Sequence, residues 1–175
     1  MSCSRRAFLS SAALLALGGC GWRPLYAGRN RGELNVDLAA IKVTTIPDRI
    51  GQIMAISLRD GLNPTGARVP QRYTLDVTLS ESRVDVGFRS DGTASRSQIT
   101  MTATFSLFGL GTDSKEALLT GTTRAVSAFD VQVDDYATVV AQHSAEERSL
   151  NQLSDDIQLR LAIYVKDHRA RTARS

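Results

Sequence analysis

Two stretches of strict alternation constrain this chain more than anything else in it. Tyr73, Leu75, Val77 and Leu79 interleave with Thr74, Asp76, Thr78 and Ser80; Ile99, Met101, Ala103, Phe105 and Leu107 interleave with Thr100, Thr102, Thr104 and Ser106. A period of two puts the apolar residues of each run on one face of a strand, whereas a helix would scatter them around its axis. The sheet these runs form therefore has an apolar face that must be covered and a polar face that suits water. That is the pattern of an antiparallel sheet packed on one side only.

The flanking segments supply the cover. Leu38 to Ile46 predicts a short strand ended by Pro47, and Asp48 can cap a helix beginning at Arg49. Ile50, Ile53, Met54 and Leu58 share one face of that helix, which Gly61 and Asn63-Pro64 stop. After Leu79 the apolar phase slips, because Val84, Val86 and Phe88 sit on even positions; a bulge or bend near Glu81-Ser82 would account for it. Ser90-Asp91-Gly92 turns the chain, Gly109 to Lys115 turns it again, and Ala117 to Phe129 reads as a third long strand. From Tyr136 the period becomes helical. Leu150, Leu153, Ile157, Leu161 and Tyr164 make a stripe, with Glu146, Glu147, Arg148, Asp155 and Arg160 off it and Asp156 and Arg160 spaced as an i, i+4 ion pair. The order β-α-β-β-β-α predicts an α+β fold, a two-layer sandwich with two helices on one face of a four-stranded, mainly antiparallel sheet. A single domain over 36–166 follows, with 167–175 as a basic tail expected to fray.

The first residues do not belong to that domain. Arg5 and Arg6 precede an uncharged run from Ala7 to Leu17, closed by small residues. A basic start, roughly 7–15 apolar residues and a small-residue exit define a secretory signal, and the run is shorter than the roughly 20 residues a membrane span needs. Leu17-Gly18-Gly19-Cys20 resembles the bacterial lipoprotein cleavage box, in which the cysteine becomes the first mature residue and carries lipid. The reading is thus a signal peptide over 1–19, lipid on Cys20 and an N-terminal linker over 20–35. Cys3 and Cys20 are the chain's two cysteines; Cys3 leaves with the leader, so no disulfide is expected. Ser4 to Leu9 resembles a twin-arginine export signal, and ordinary secretory signals also carry arginine pairs, so both routes stay open. Gly21, where Asp would resemble an inner-membrane retention signal, suggests sorting to the outer membrane.

Charge and side-chain chemistry then exclude function classes. The chain has 21 Lys and Arg against 18 Asp and Glu, formally +3; losing Arg5 and Arg6 with the leader brings that to +1. No strong field argues for nucleic acid. His143 and His168 lack metal-ligand spacing, no mature thiol remains for cysteine catalysis, and neither a phosphate loop nor a GxSxG elbow occurs. Asp134-Asp135 is a carboxylate pair, but adjacent acids before a helix more often cap it or face water. The sequence therefore reads as a non-enzyme with no cofactor, no metal site and no catalytic residues.

Cys20-Gly21-Trp22-Arg23-Pro24-Leu25-Tyr26 is similar to the start of the LptE family, with Trp22 where Phe is commoner. The stretch from Tyr136-Ala137 through Ala145 to Ile157 is similar to that family's last helix, and the order of elements between them also matches. The resemblance implies an outer-membrane lipoprotein on the periplasmic face that plugs and helps assemble an LptD-type β-barrel. It also implies contact with lipopolysaccharide on its way to the outer leaflet. An auxiliary lipoprotein of a lipid-transporting ABC system is the alternative, since it would share the anchor and an α/β domain. Lipopolysaccharide carries phosphates beside acyl chains, so its contact surface calls for arginines near exposed apolar groups. Arg83 and Arg89, with Val84, Val86 and Phe88, and Arg96 beyond the same turn are the candidates; a solvated hairpin end is the plainer account.

Overall fold

Leu34 and Leu38 lie one helical turn apart and both are buried, which is enough to wind the segment from Arg31 into a helix against the core. In the computed structural model, which describes residues 31–110 and 116–172, this α1 (Arg31–Ala39) is an element the sequence reading missed. It occupies the end of the expected linker and the first residues of the expected strand Leu38 to Ile46. The strand itself shortens to β1 (Ile41–Val43). The chain continues through α2 (Arg49–Leu62), β2 (Tyr73–Phe88), β3 (Ala94–Gly109), β4 (Leu119–Asp130) and α3 (Asp135–Thr172). The signal segment, Cys20 and most of the linker lie outside the described residues.

The sheet order is β1-β2-β3-β4. β1 runs parallel to β2, pairing Ile41 to Val43 with Tyr73 to Leu75, and the other neighbours are antiparallel. The fold is the expected α+β two-layer sandwich, with three helices in place of two. α3 crosses β4 and β3, and α2 lies beside α3. Between the layers sits a core centred on Leu75, Ile99, Met101, Phe105 and Leu107 from the strands and Leu150, Leu153, Ile157 and Leu161 from α3, all at most 1% exposed.

Two glycines are explained by close approach. A Cβ on Gly61 would lie 2.1 Å from the Gln158 side chain; this residue lets α2 approach α3 and does not stop α2, which continues to Leu62. A Cβ on Gly121 would lie 2.6 Å from Cζ of Phe105, so β4 leaves its side-chain place to that ring.

Helix ends depart from expectation at Asp48 and at the C-terminus of α3, while Asp134 takes the capping role expected of it. Asp48 does precede α2, but at φ 70° and without a side-chain capping bond; its carbonyl accepts from the Gln52 amide instead. Asp134 caps α3, accepting from the Tyr136 amide at 2.8 Å. α3 also runs through most of the expected frayed tail, to Thr172. Tyr164 stacks on His168 with ring centroids 5.8 Å apart, and Arg169 bonds the buried Asp37 of α1 at 2.7 Å. Those contacts give the last turns something to hold.

The phase slip in β2 has a different cause from the one expected. β2 and β3 stay in register from Tyr73 to Asp85, with irregularities only at Asp85/Gly87 and Gly87/Phe88. No bulge interrupts Glu81-Ser82. The strand keeps its twist and exchanges the polarity of its faces: the inward series Leu75, Val77, Leu79 continues as Glu81, Arg83, Asp85, and Val84 and Val86 face outward and exposed.

Candidate functional site

The change of polarity divides the β2–β3 hairpin into a base packed under the helices and an outer end with its own chemistry. Arg83 is the hub of that end. Its guanidinium lies 4.9 Å above the Phe129 ring, donates to Ser97 Oγ at 3.2 Å and to Gln142 Oε1 of α3 at 3.1 Å. Ser97, fully buried, donates in turn to Asp85. Gln142 donates to Glu146 at 2.9 Å, and Glu146 accepts from Arg49 at the start of α2. One polar chain therefore ties β2, β3, α3 and α2 together where apolar packing runs out, and among the described residues no buried side-chain polar atom lacks a partner.

Glu146 corrects the sequence reading, which placed it off the stripe. It is 3% exposed and sits four residues before Leu150, on the stripe's own face. That spacing was the signal for it, and the charge obscured it. Gln142, four residues earlier again, was missed because its amide is polar, though uncharged; Ser97 and Arg49 carried no signal, since neither breaks a pattern.

Glu81 shares this neighbourhood. Partial burial, first, and the nearby Glu146 carboxylate raise its pKa above the usual 4.5, against the pull of Arg49 and Arg83. An acid whose pKa is raised on folding favours the fold below its unfolded pKa and loses that contribution as pH rises through the folded value. Glu81→Gln should therefore match the parent's Tm near pH 4 and exceed it by pH 7. Solvent screening limits the gain to under about 1 kcal/mol, or about 2 °C. Paired thermal melts across that range are the check, and a gap that closes as pH rises contradicts the assignment.

The arginines singled out from the sequence do meet at this end, in three different roles. Arg83 is held in the network just described. Arg89 donates to the carbonyls of Ala94 at 2.8 Å and Val131 at 2.5 Å, fastening the hairpin turn to the segment that follows β4. Arg96 opposes Asp130 across β3 and β4 at 3.7 Å, with both side chains more than half exposed. Beyond them the turn is closed by Asp91, which accepts from the Thr93 amide and hydroxyl at 2.9 and 2.7 Å. Those bonds lower its pKa. Gly92 takes φ 82°, open to glycine at no steric cost.

Around the arginines the surface is apolar to an unusual degree. Val84, Val86 and Phe88 of β2, Val133 after β4, and Tyr136, Val139 and Val140 in the first turns of α3 are all exposed, Val133 at 94% and Tyr136 at 76%. Exposed apolar side chains and guanidinium groups thus share this end of the molecule, with Val84 and Val86 on the sheet face turned away from the helices. Among the described residues no group of three or more His, Cys, Asp or Glu is placed to hold a metal, and no helix is long and apolar enough to cross a membrane.

The fold is shared with solved structures of bacterial lipoproteins. A protein from Caulobacter crescentus CB15 described as a lipoprotein is 25% identical with TM-score 0.63, over 78% of this chain and 97% of that one. Two others share the fold at 14% identity and TM-score 0.54: rare lipoprotein B from Shewanella oneidensis, over 74% of this chain and 96% of that one, and a minor lipoprotein from Acinetobacter baumannii, over 71% and 92%. No curated protein sequence matches. Residues 35–161 match the model of the LptE family, described as Lipopolysaccharide-assembly, and the chain belongs to that family.

Proposed function

We propose that this protein is an outer-membrane lipoprotein, held on the periplasmic face by lipid on Cys20, that plugs and helps assemble an LptD-type β-barrel and assists lipopolysaccharide insertion into the outer leaflet. Membership in a lipopolysaccharide-assembly family carries the reading. The hairpin end supports it, because a part that works by contact with a barrel and an amphiphile needs exposed apolar groups beside cations and needs no reaction centre. We accordingly read the protein as a scaffold and not as an enzyme.

Within this reading Arg83, Arg89 and Arg96 mark the lipopolysaccharide contact. Arg83 and Arg89 hold the platform in shape, and Arg96, whose only described ion pair is an exposed one, presents its guanidinium to phosphate. Reversing Arg89 would strand two carbonyls and loosen the turn, so Arg96→Gln is the clean probe. It should weaken lipopolysaccharide binding severalfold at low salt, where screening is least, and leave barrel copurification from detergent-solubilised envelope unchanged. Undiminished binding removes Arg96 from the site. Recovery of ABC-transport components without a barrel would favour the auxiliary-lipoprotein alternative.

A further inference from the structure

β2 is paired along its outer side for only part of its length. β1 matches it over Tyr73 to Leu75, and the last backbone bond on that side runs from the Thr44 amide to the Leu75 carbonyl at 3.0 Å. Backbone groups alternate sides along a strand. The Leu75 carbonyl faces β1, and the Arg72 carbonyl faces β3, where it accepts from the Leu110 amide at 2.7 Å. The amides and carbonyls of Leu79, Glu81, Arg83 and Asp85 therefore turn outward, and among the described residues no strand receives them. The register with β3 stays regular up to Asp85, so Leu79 to Asp85 forms an open sheet edge. The other edge is partly served, since Arg148 of α3 donates to the Ala128 carbonyl of β4 at 3.4 Å.

We propose that this edge pairs with the same edge of a second copy of the chain, antiparallel, about a two-fold axis at Ser82. An open edge is a template for strand addition, and the side chains select the partner. Glu81, Arg83 and Asp85 follow one another on the helix side of β2. Charges directed inward ordinarily keep an edge single. Because these alternate in sign, they complement themselves when one copy is turned against the other. With the axis at Ser82, each Glu81 stands directly across from Arg83 of the second copy.

Opposite charges directly across two strands attract, and like charges repel. An axis at Glu81 or at Arg83 would set that residue against itself, and an axis at Ser80 would set Arg83 against Val77. An axis at Val84 would join Arg83 to Asp85, but it carries the pairing into the irregular step between Asp85 and Gly87. Ser82 is also the midpoint of the open stretch, so its register uses all of it. Arg83 is 41% exposed and keeps donors beyond those given to Ser97 and Gln142. For Glu81, a second guanidinium offsets the repulsion from Glu146. The contact is isologous and closes at two copies. It rests on neither lipopolysaccharide binding nor the barrel.

The test is directed crosslinking in the chain from residue 20 with Cys20→Ser, which contains no other thiol. A residue on the axis meets its own copy in a non-hydrogen-bonded pair with Cα atoms about 4.5 Å apart, a separation a disulfide bridges. Ser80, Ser82 and Val84 are exposed, so cysteine there leaves the core untouched. Ser82→Cys should form a disulfide dimer under mild oxidation severalfold faster than Thr104→Cys, which is exposed on the same face but lies within the sheet. Ser80→Cys and Val84→Cys should each stay monomeric alone and crosslink when mixed, because they lie across from one another. Adding Glu81→Lys to Ser82→Cys should slow the reaction severalfold with the circular dichroism unchanged, since lysine then meets Arg83. Crosslinking of Ser82→Cys no faster than that of Thr104→Cys overturns the proposal. So does crosslinking of Ser80→Cys or Val84→Cys alone at the rate of Ser82→Cys, which would put the axis elsewhere. A rate untouched by Glu81→Lys overturns it as well, because charge selects the register.

Discussion

Cys20→Ala should release the protein from the membrane, or leave it uncleaved, and abolish incorporation of labelled fatty acid. The size of the effect follows from the anchor's physics. Each buried methylene contributes about 0.8 kcal/mol, and more than one acyl chain makes attachment stable on a cellular timescale. Among the described residues no helix is long and apolar enough to cross a bilayer. Fractionation of labelled cells reads both consequences at once. Normal labelling of the variant would place the lipid elsewhere or nowhere. A Cys20→Ala protein that still copurifies with a barrel would separate the anchor's role in localisation from the domain's role in recognition.

Phe105→Ala should produce a large loss of stability. The ring is 1% exposed in the C-terminal half of β3, and removing a buried phenyl costs about 3–5 kcal/mol, or about 6–20 °C in Tm for a domain of this size. Gly121→Val acts on the same contact from the other side, driving carbon atoms into a ring already 2.6 Å from where a Cβ would sit. Overpacking of that kind costs about 1–3 kcal/mol. The double variant carries the sharper test. With the ring gone, the valine methyls enter vacated space, so the two losses should sum to more than the double variant shows. Strict additivity by denaturant titration would mean that Phe105 and Gly121 do not share the space described.

Much of this fold could be read from the chain because its strands repeat at a period nothing else has. Leu75 and Val77, and Ile99 to Leu107, alternate without exception and are buried as that alternation requires. The stripe on α3 was equally plain. The reading faltered where one local signal outweighed another. Ala39 and Ala40 beside Ile41 looked continuous with a strand, yet Leu34 and Leu38 were free to wind into a helix because tertiary cover was available to them. In β2 a reversal of facial polarity and a one-residue bulge leave the same imprint on apolar spacing, and only pairing register distinguishes them. The arginines of the hairpin were legible as a cluster. Their partners were not: carbonyls such as those of Ala94 and Val131 have no sequence signature.

The exchange of faces in β2 has a mechanical consequence. Sub-global opening is easiest where backbone bonds lack apolar burial beneath them. Beyond Glu81 the hairpin rests on Arg83, its polar partners and the ladder to β3, while its base lies under α2 and α3. The outer arm should thus exchange its amide protons and bend well before the base yields. The domain is a stiff foot carrying a compliant finger, and that finger can adjust to a neighbouring surface without loosening the foot.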